Sequence, residues 1–209
     1  IEDFDNNSSS FTTTNVIKEV CLYFDNKLFR GNRTTKVNSD QFKAYASFNY
    51  PELAKSGVDL KINFEDLYKP LNSNTIFYNK LDDRVSVISL YPGISKQNVK
   101  HMFSDNYSKV FIIESYGSGN MFDFKWFIDE LKSSLKKGKY IINVSQCPKG
   151  SVQMGKYESS FKLVELDIIS GKDITLESAI IKSMFLLSKK SDFKNFKEMF
   201  ELSISGEIS

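Results

Sequence analysis

Residues 85–114 read VSVISLYPGISKQNVKHMFSDNYSKVFIIE, and this stretch decides the fold. Residues 85–91 form a short β-branched and aliphatic run of the kind that makes a strand, and Pro92-Gly93 ends it in a turn. Ser95 then stands where a helix N-cap belongs, before a short helix carrying Val99, Met102 and Phe103, and residues 109–114 make the next strand. A strand, a helix and a strand in that order make one β-α-β unit. A second follows at once: YGSGN (residues 116–120) leads into a helix with Phe124, Phe127, Ile128, Leu131 and Leu135 on one face. Asp123 lies near its positive end, Lys132, Lys136 and Lys137 near its negative end, Gly138 closes it, and residues 139–144 form the following strand. This alternation predicts an α/β fold with a parallel sheet and right-handed crossovers, covered by helices near 158–166, 176–188 (capped by Thr175) and 192–202.

Towards the N-terminus the pattern changes. Residues 16–24, VIKEVCLYF, read as a strand, and Asp25-Asn26 favours the tight turn of a hairpin. The outgoing arm and its tip, LFRGNRTTKVN (28–38), crowd Arg30, Arg33 and Lys36 around small hydroxyl residues. Residues 39–80 are irregular, punctuated by Pro51, Gly57 and Pro70, with a strand expected at 58–64 and a connector at 68–83. Two parts are therefore expected, 1–80 and 81–209. The chain opens on Ile1, with a polar tract at 6–15 of flexible composition, which reads as a start in mid-protein.

Composition narrows the function classes. The net charge is +2 with both signs interspersed, unlike the one-sided basic face that tracks a phosphate backbone. No apolar run approaches a membrane span. Cys21 and Cys147, far apart, read as reduced thiols of a cytoplasmic protein. His101 is the single histidine, which disfavours zinc constellations, and reads as structural on its short helix.

In an open parallel sheet, ligands sit beyond the carboxyl ends of the strands, so the loops at 91–94, 115–120 and 145–155 are the places for chemistry. The SYGSGN loop suits an anion at a helix N-terminus, or else Asn120 is a plain N-cap. Cys147 is either a thiol nucleophile or, more in keeping with free cysteine, a buried packing residue. The basic loop at 30–36 admits a phosphate-binding or RNA-binding reading, against which the near-zero net charge weighs.

Five segments in fixed order go further: EVCLYFDNKLFRGNRTTKVNSDQFKAYASFNYPELAKSGV, LYPGI, ESYGSGN, NVSQCPKGSVQMGKYE and DITLESAIIK, with a final SGEI. From about Val16 onwards they resemble the cytoplasmic, type I L-asparaginases of the asparaginase/glutaminase family. The resemblance implies that residues 1–80 are the end of a larger α/β N-terminal domain plus linker, and 81–209 a C-terminal α/β domain. It implies hydrolysis of the side-chain amide of L-asparagine to L-aspartate and ammonia, without metal or cofactor, by a homodimer or dimer of dimers that binds neither nucleic acid nor membrane. Lys36 matches the family's catalytic lysine, and Asn120 the asparagine that completes a neighbouring subunit's site. Neither the family's Thr-Gly-Gly-Thr loop nor its Gly-Thr-Asp motif occurs among the 209 residues; the threonine nucleophile is expected outside them. Thr35, Glu114 and Cys147 fall on the family's allosteric asparagine positions, but Glu114 replaces an arginine and would repel the effector carboxylate, so allosteric binding is not expected. The alternative function is a truncated, non-catalytic module that binds a small amino acid or dimerises.

Overall fold

The computed structural model describes residues 17–41, 43–70, 76–155, 158–190 and 192–209. The N-terminal half is built from short antiparallel strands. β1 (Cys21–Phe24) turns back into β2 (Lys27–Arg30) through Asp25 and Asn26, both at positive φ, the geometry that matches a two-residue turn to strand twist. β3 (Thr35–Lys36) pairs with β4 (Tyr45–Ala46) as a separate ribbon, and β5 (Ala54–Lys55) and β6 (Lys61–Ile62) extend the hairpin sheet in the order β1-β2-β5-β6. The strand expected at 58–64 shrinks to β6, because Phe64–Asp66 coils into a 3-10 turn. Lys36 lies on β3, three residues past a 3-10 turn at Gly31–Arg33, and not at a hairpin tip.

The C-terminal half follows the expected alternation: β7 (Val85–Ser89), α1 (Lys96–Phe103), β8 (Val110–Ser115), α2 (Lys125–Lys136), β9 (Tyr140–Ser145), α3 (Glu158–Glu165), β10 (Ile169–Ser170), α4 (Leu176–Ser188) and α5 (Phe193–Glu201). The sheet is parallel throughout, in the order β10-β9-β8-β7. Ser95, Thr175 and Asp192 cap α1, α4 and α5, each side chain accepting from the amide three residues on.

β8 shows why the layers form. Val110, Phe111, Ile112 and Ile113 are all fully buried. Successive side chains point to opposite faces, so Phe111 and Ile113 join Val99 and Phe103 of α1, Phe127 and Leu131 of α2 and Leu163 of α3. Val110 and Ile112 join Ala179 and Leu186 of α4 and Phe196 and Phe200 of α5. A strand covered on both faces reads as an unbroken apolar run, as VFII does. Among the described residues, no helix is long and apolar enough to cross a membrane.

The closing segment, residues 203–209, stitches the halves together. Arg30 donates to the Gly206 carbonyl, Asn32 to the Ser205 carbonyl and Tyr68 to the Ile204 carbonyl. Glu207 pairs with Lys182 of α4 at 2.5 Å, both side chains buried.

Candidate active site

The carboxyl ends of β7, β8 and β9 are drawn together by one side chain. Gln146, just past β9, donates through Nε2 to the carbonyls of Leu90 (2.6 Å) and Glu114 (2.8 Å). Beside it the 116–120 loop closes on itself through a Tyr116–Asn120 bridge. Asn143, a polar residue inside the apolar run of β9, holds that loop: its Oδ1 accepts from Ser115 at 2.5 Å and its Nδ2 donates to the Gly119 carbonyl at 2.8 Å. Gly119 sits at φ 102, where a Cβ would lie 2.7 Å from Val152 and 3.1 Å from Asn143. Only glycine fits there.

This geometry revises the reading of the loop. Asn120 does not cap α2, whose N-cap is Phe124, without a side-chain cap bond. Residues 121–124 intervene, so the glycine loop lies away from a helix N-terminus. Burial pushes the Tyr116 phenol above its ordinary pKa.

A cavity of about 210 Å³ opens between the two halves. The C-terminal half contributes Glu114, Ser145 to Pro148 and the start of α4 from Asp173 to Glu177; the N-terminal half contributes Arg33, Thr35, Phe48 and Asn49. Thr35, Glu114 and Cys147 all line this cavity. Cys147 is exposed, not buried as expected, because its amide bonds the Ser145 hydroxyl (2.9 Å) and turns the loop outward. Glu114 accepts a hydrogen bond from Ser89. Thr35 donates to Glu177 Oε1 at 2.5 Å.

The cations of the loop at 30–36 part company. Arg30 and Arg33 are only 4% and 2% exposed, which removes them as an external phosphate-binding surface. Arg30 Nε bonds Glu19 at 2.5 Å, and Arg33 Nη1 pairs with Asp173 at 3.1 Å. Tyr50 lies against both guanidinium groups, 4.1 Å and 5.3 Å from ring centroid to Cζ. Lys36 alone is exposed, in an open groove of about 430 Å³ with Phe24, Asp40, Ala44 and Tyr45. Phe24 and Tyr45 meet edge to face there, 5.2 Å between centroids. Lys36 and Asn120 thus occupy different places from the cavity, and neither lines it. His101 is an exposed residue of α1.

Four residues here escaped sequence reasoning: Asn49, Asn143, Gln146 and Glu177. Asn143 and Glu177 carried visible signals, one a polar interruption of YIINV, the other an acid in the first turn of a capped helix. Asn49 gave none, since its bonds to Gly150 and Asp173 cross more than a hundred residues.

The described residues thus form an α/β protein with a parallel sheet covered on both faces, an antiparallel hairpin sheet and a β3–β4 ribbon on which Lys36 lies in an open groove. The Glutaminase/Asparaginase C-terminal domain model matches residues 84–200, more than half of the chain, and the Asparaginase, N-terminal model matches residues 5–68. The chain belongs to the glutaminase/asparaginase family. It is 34% identical to L-asparaginase 1 of Escherichia coli (strain K12) over 92% of its own length and 57% of the relative's. It is 35% identical to the 60 kDa lysophospholipase of Mus musculus over 93% of its length and 34% of that protein. The crystal structure of L-asparaginase I from Vibrio cholerae superposes with a TM-score of 0.84 at 30% identity, covering 92% of this chain and 58% of that one. The chain thus spans little more than half the length of these asparaginases.

Proposed function

We propose that this protein acts as an L-asparaginase, hydrolysing the side-chain amide of L-asparagine to L-aspartate and ammonia, with Lys36 as its catalytic lysine. The observation that carries this reading is the contrast within one loop: two arginines are buried in ion pairs, whereas among the described residues no carboxylate forms an ion pair with Lys36, which lies in an open groove. A threonine hydroxyl is a poor nucleophile near neutral pH and needs a base or a neighbouring cation. A lysine amine beside it serves as proton acceptor when neutral, or stabilises developing negative charge when protonated. The nucleophile is assigned to a part of the N-terminal domain outside these 209 residues, so this stretch alone is expected to be inactive. The groove around Lys36 is where that part would close the site.

Asn120 is assigned to the active site of a neighbouring subunit in a homodimer or dimer of dimers; its loop, pinned by Asn143, is rigid enough to present it. The cavity at Thr35, Glu114 and Cys147 is not assigned to asparagine. Its one arginine is already paired with Asp173, and Glu114 and Glu177 both face an incoming carboxylate with like charge.

The test is asparagine hydrolysis by the protein as the cell makes it. Lys36→Ala should lower kcat by roughly 10³-fold, about 4 kcal/mol in the barrier, with the thermal unfolding midpoint unchanged. A variant as active as the parent would overturn the assignment. An inactive parent that still binds asparagine or dimerises would favour the non-catalytic alternative.

A further inference from the structure

We infer that Glu177 is a positioning residue for Lys36, acting through the Thr35 hydroxyl; the inference rests on the role proposed for Lys36. β3 is two residues long, and neighbouring side chains on a strand point to opposite faces. Thr35 accordingly lines the cavity beside α4, while Lys36 lines the groove with Phe24 and Tyr45. The strand is a thin wall between two spaces, and what fixes one of its faces fixes the other.

Its own ladder is weak. β3 pairs only with β4, through Thr35 opposite Ala46 and Lys36 opposite Tyr45, and the pair stands apart from the hairpin sheet. A two-residue ribbon needs an outside anchor to hold a side chain to a fraction of an ångström. The 2.5 Å bond from Thr35 Oγ1 to Glu177 Oε1 supplies one, joining β3 to the first turn of α4. A hydroxyl donating to a carboxylate is among the stronger hydrogen bonds. α4 is itself a firm base, since Thr175 caps it and Ala179 and Leu186 seat it in the core. Just upstream, Ser178 of the same helix donates to the Asn32 carbonyl at 2.5 Å, so α4 grips the chain on the approach to β3 as well. Glu177 does not share the groove with Lys36, and so acts on it only through Thr35.

The experiment measures steady-state hydrolysis of asparagine by the full protein. Displacements of about 1 Å at a reacting group cost up to roughly a hundredfold, so Glu177→Ala and Thr35→Val should each lower kcat roughly tenfold to a hundredfold while KM moves less than about twofold. Glu177→Gln, which keeps an acceptor oxygen, and Thr35→Ser, which keeps the hydroxyl, should recover most of the loss. The double variant Thr35→Val/Glu177→Ala should be no worse than either single one, because both remove the same bond. Multiplying losses in the double variant, failure of the Gln and Ser replacements to recover activity, or a fully active Glu177→Ala protein would each overturn the inference. If Lys36→Ala is inactive and Glu177→Ala is not, the inference fails alone; if Lys36→Ala is fully active, the catalytic reading fails and takes the inference with it.

Discussion

The two halves of the chain are held by different forces. Around β8, order comes from apolar side chains buried on both faces of one parallel sheet, with Phe103, Phe111, Phe127, Phe196 and Phe200 essentially inaccessible. Between residues 17 and 70 the strands are two to four residues long, and the buried apolar residues among the described ones there are Phe29, Ala44, Leu53 and Ala54. What orders that half is a set of buried ions and carbonyl bonds: Glu19 with Arg30, Arg33 with Asp173, and Asn49 across to Gly150. Apolar packing is indifferent to direction and tolerates adjustment; buried charge pairs hold position sharply but become liabilities once one partner is lost. The role proposed for Lys36 would benefit from the second kind of restraint.

Removing one member of each kind tests the contrast. Phe111→Ala opens a cavity where both Phe103 and the Lys139 ammonium now touch the ring, and should cost about 4 kcal/mol in urea unfolding. That loss should be the same at pH 4 and pH 7. Arg30→Ala leaves the Glu19 carboxylate buried and uncompensated, and should cost about 3 kcal/mol. Limited proteolysis of this variant should cut first within residues 17–70 and leave the parallel sheet protected. A loss below about 0.5 kcal/mol, the size of an ordinary surface change, would show that the ions are not what holds this half.

A smaller effect should follow from Gly206→Ala. Gly206 sits at φ 79, and an added Cβ would lie 2.5 Å from Arg30 Nη1. Strain and a displaced guanidinium together should cost about 1–3 kcal/mol by thermal unfolding. In Arg30→Ala the clash is gone, so the same glycine change should cost distinctly less, and equal costs in both backgrounds would break the link.

The mildest effect is that of acid. Burial opposes ionisation of Glu207, but the Lys182 ammonium and the Ser205 amide outweigh it and hold the carboxyl below its ordinary pKa. A carboxyl with a depressed folded pKa contributes stability above its unfolded value, about 4.3, and loses it as pH falls through the folded value. Stability of the parent should therefore decline below about pH 4.3, and Glu207→Gln should flatten that part of the profile. An unchanged acid limb would assign the decline to other carboxylates.

The same contrast explains what could be read in advance. The segment 85–114 announced β7, α1 and β8, and the caps Ser95, Thr175 and Asp192 started helices where each was expected or next to it. Local periodicity and caps act over a few residues, so they are visible in any window. β10, two residues long, and β5 were missed, because strands so short exist only through their partners. Cys147 was expected to be buried and is exposed; Arg30 and Arg33, whose basic loop admitted a phosphate-binding reading, are core ions. The partners that hold Arg33 and Arg30 in the core, Asp173 and Gly206, lie 140 and 176 residues away.

The resemblance to the asparaginases singles out Lys36 and Asn120, and the alternating apolar runs make the parallel sheet legible in the sequence. Which of three neighbouring cations is left free was decided only when distant acids and carbonyls claimed the other two. Burial of a charge is settled by whether a counter-charge reaches it, and reach between far parts of a chain is a property of the folded molecule.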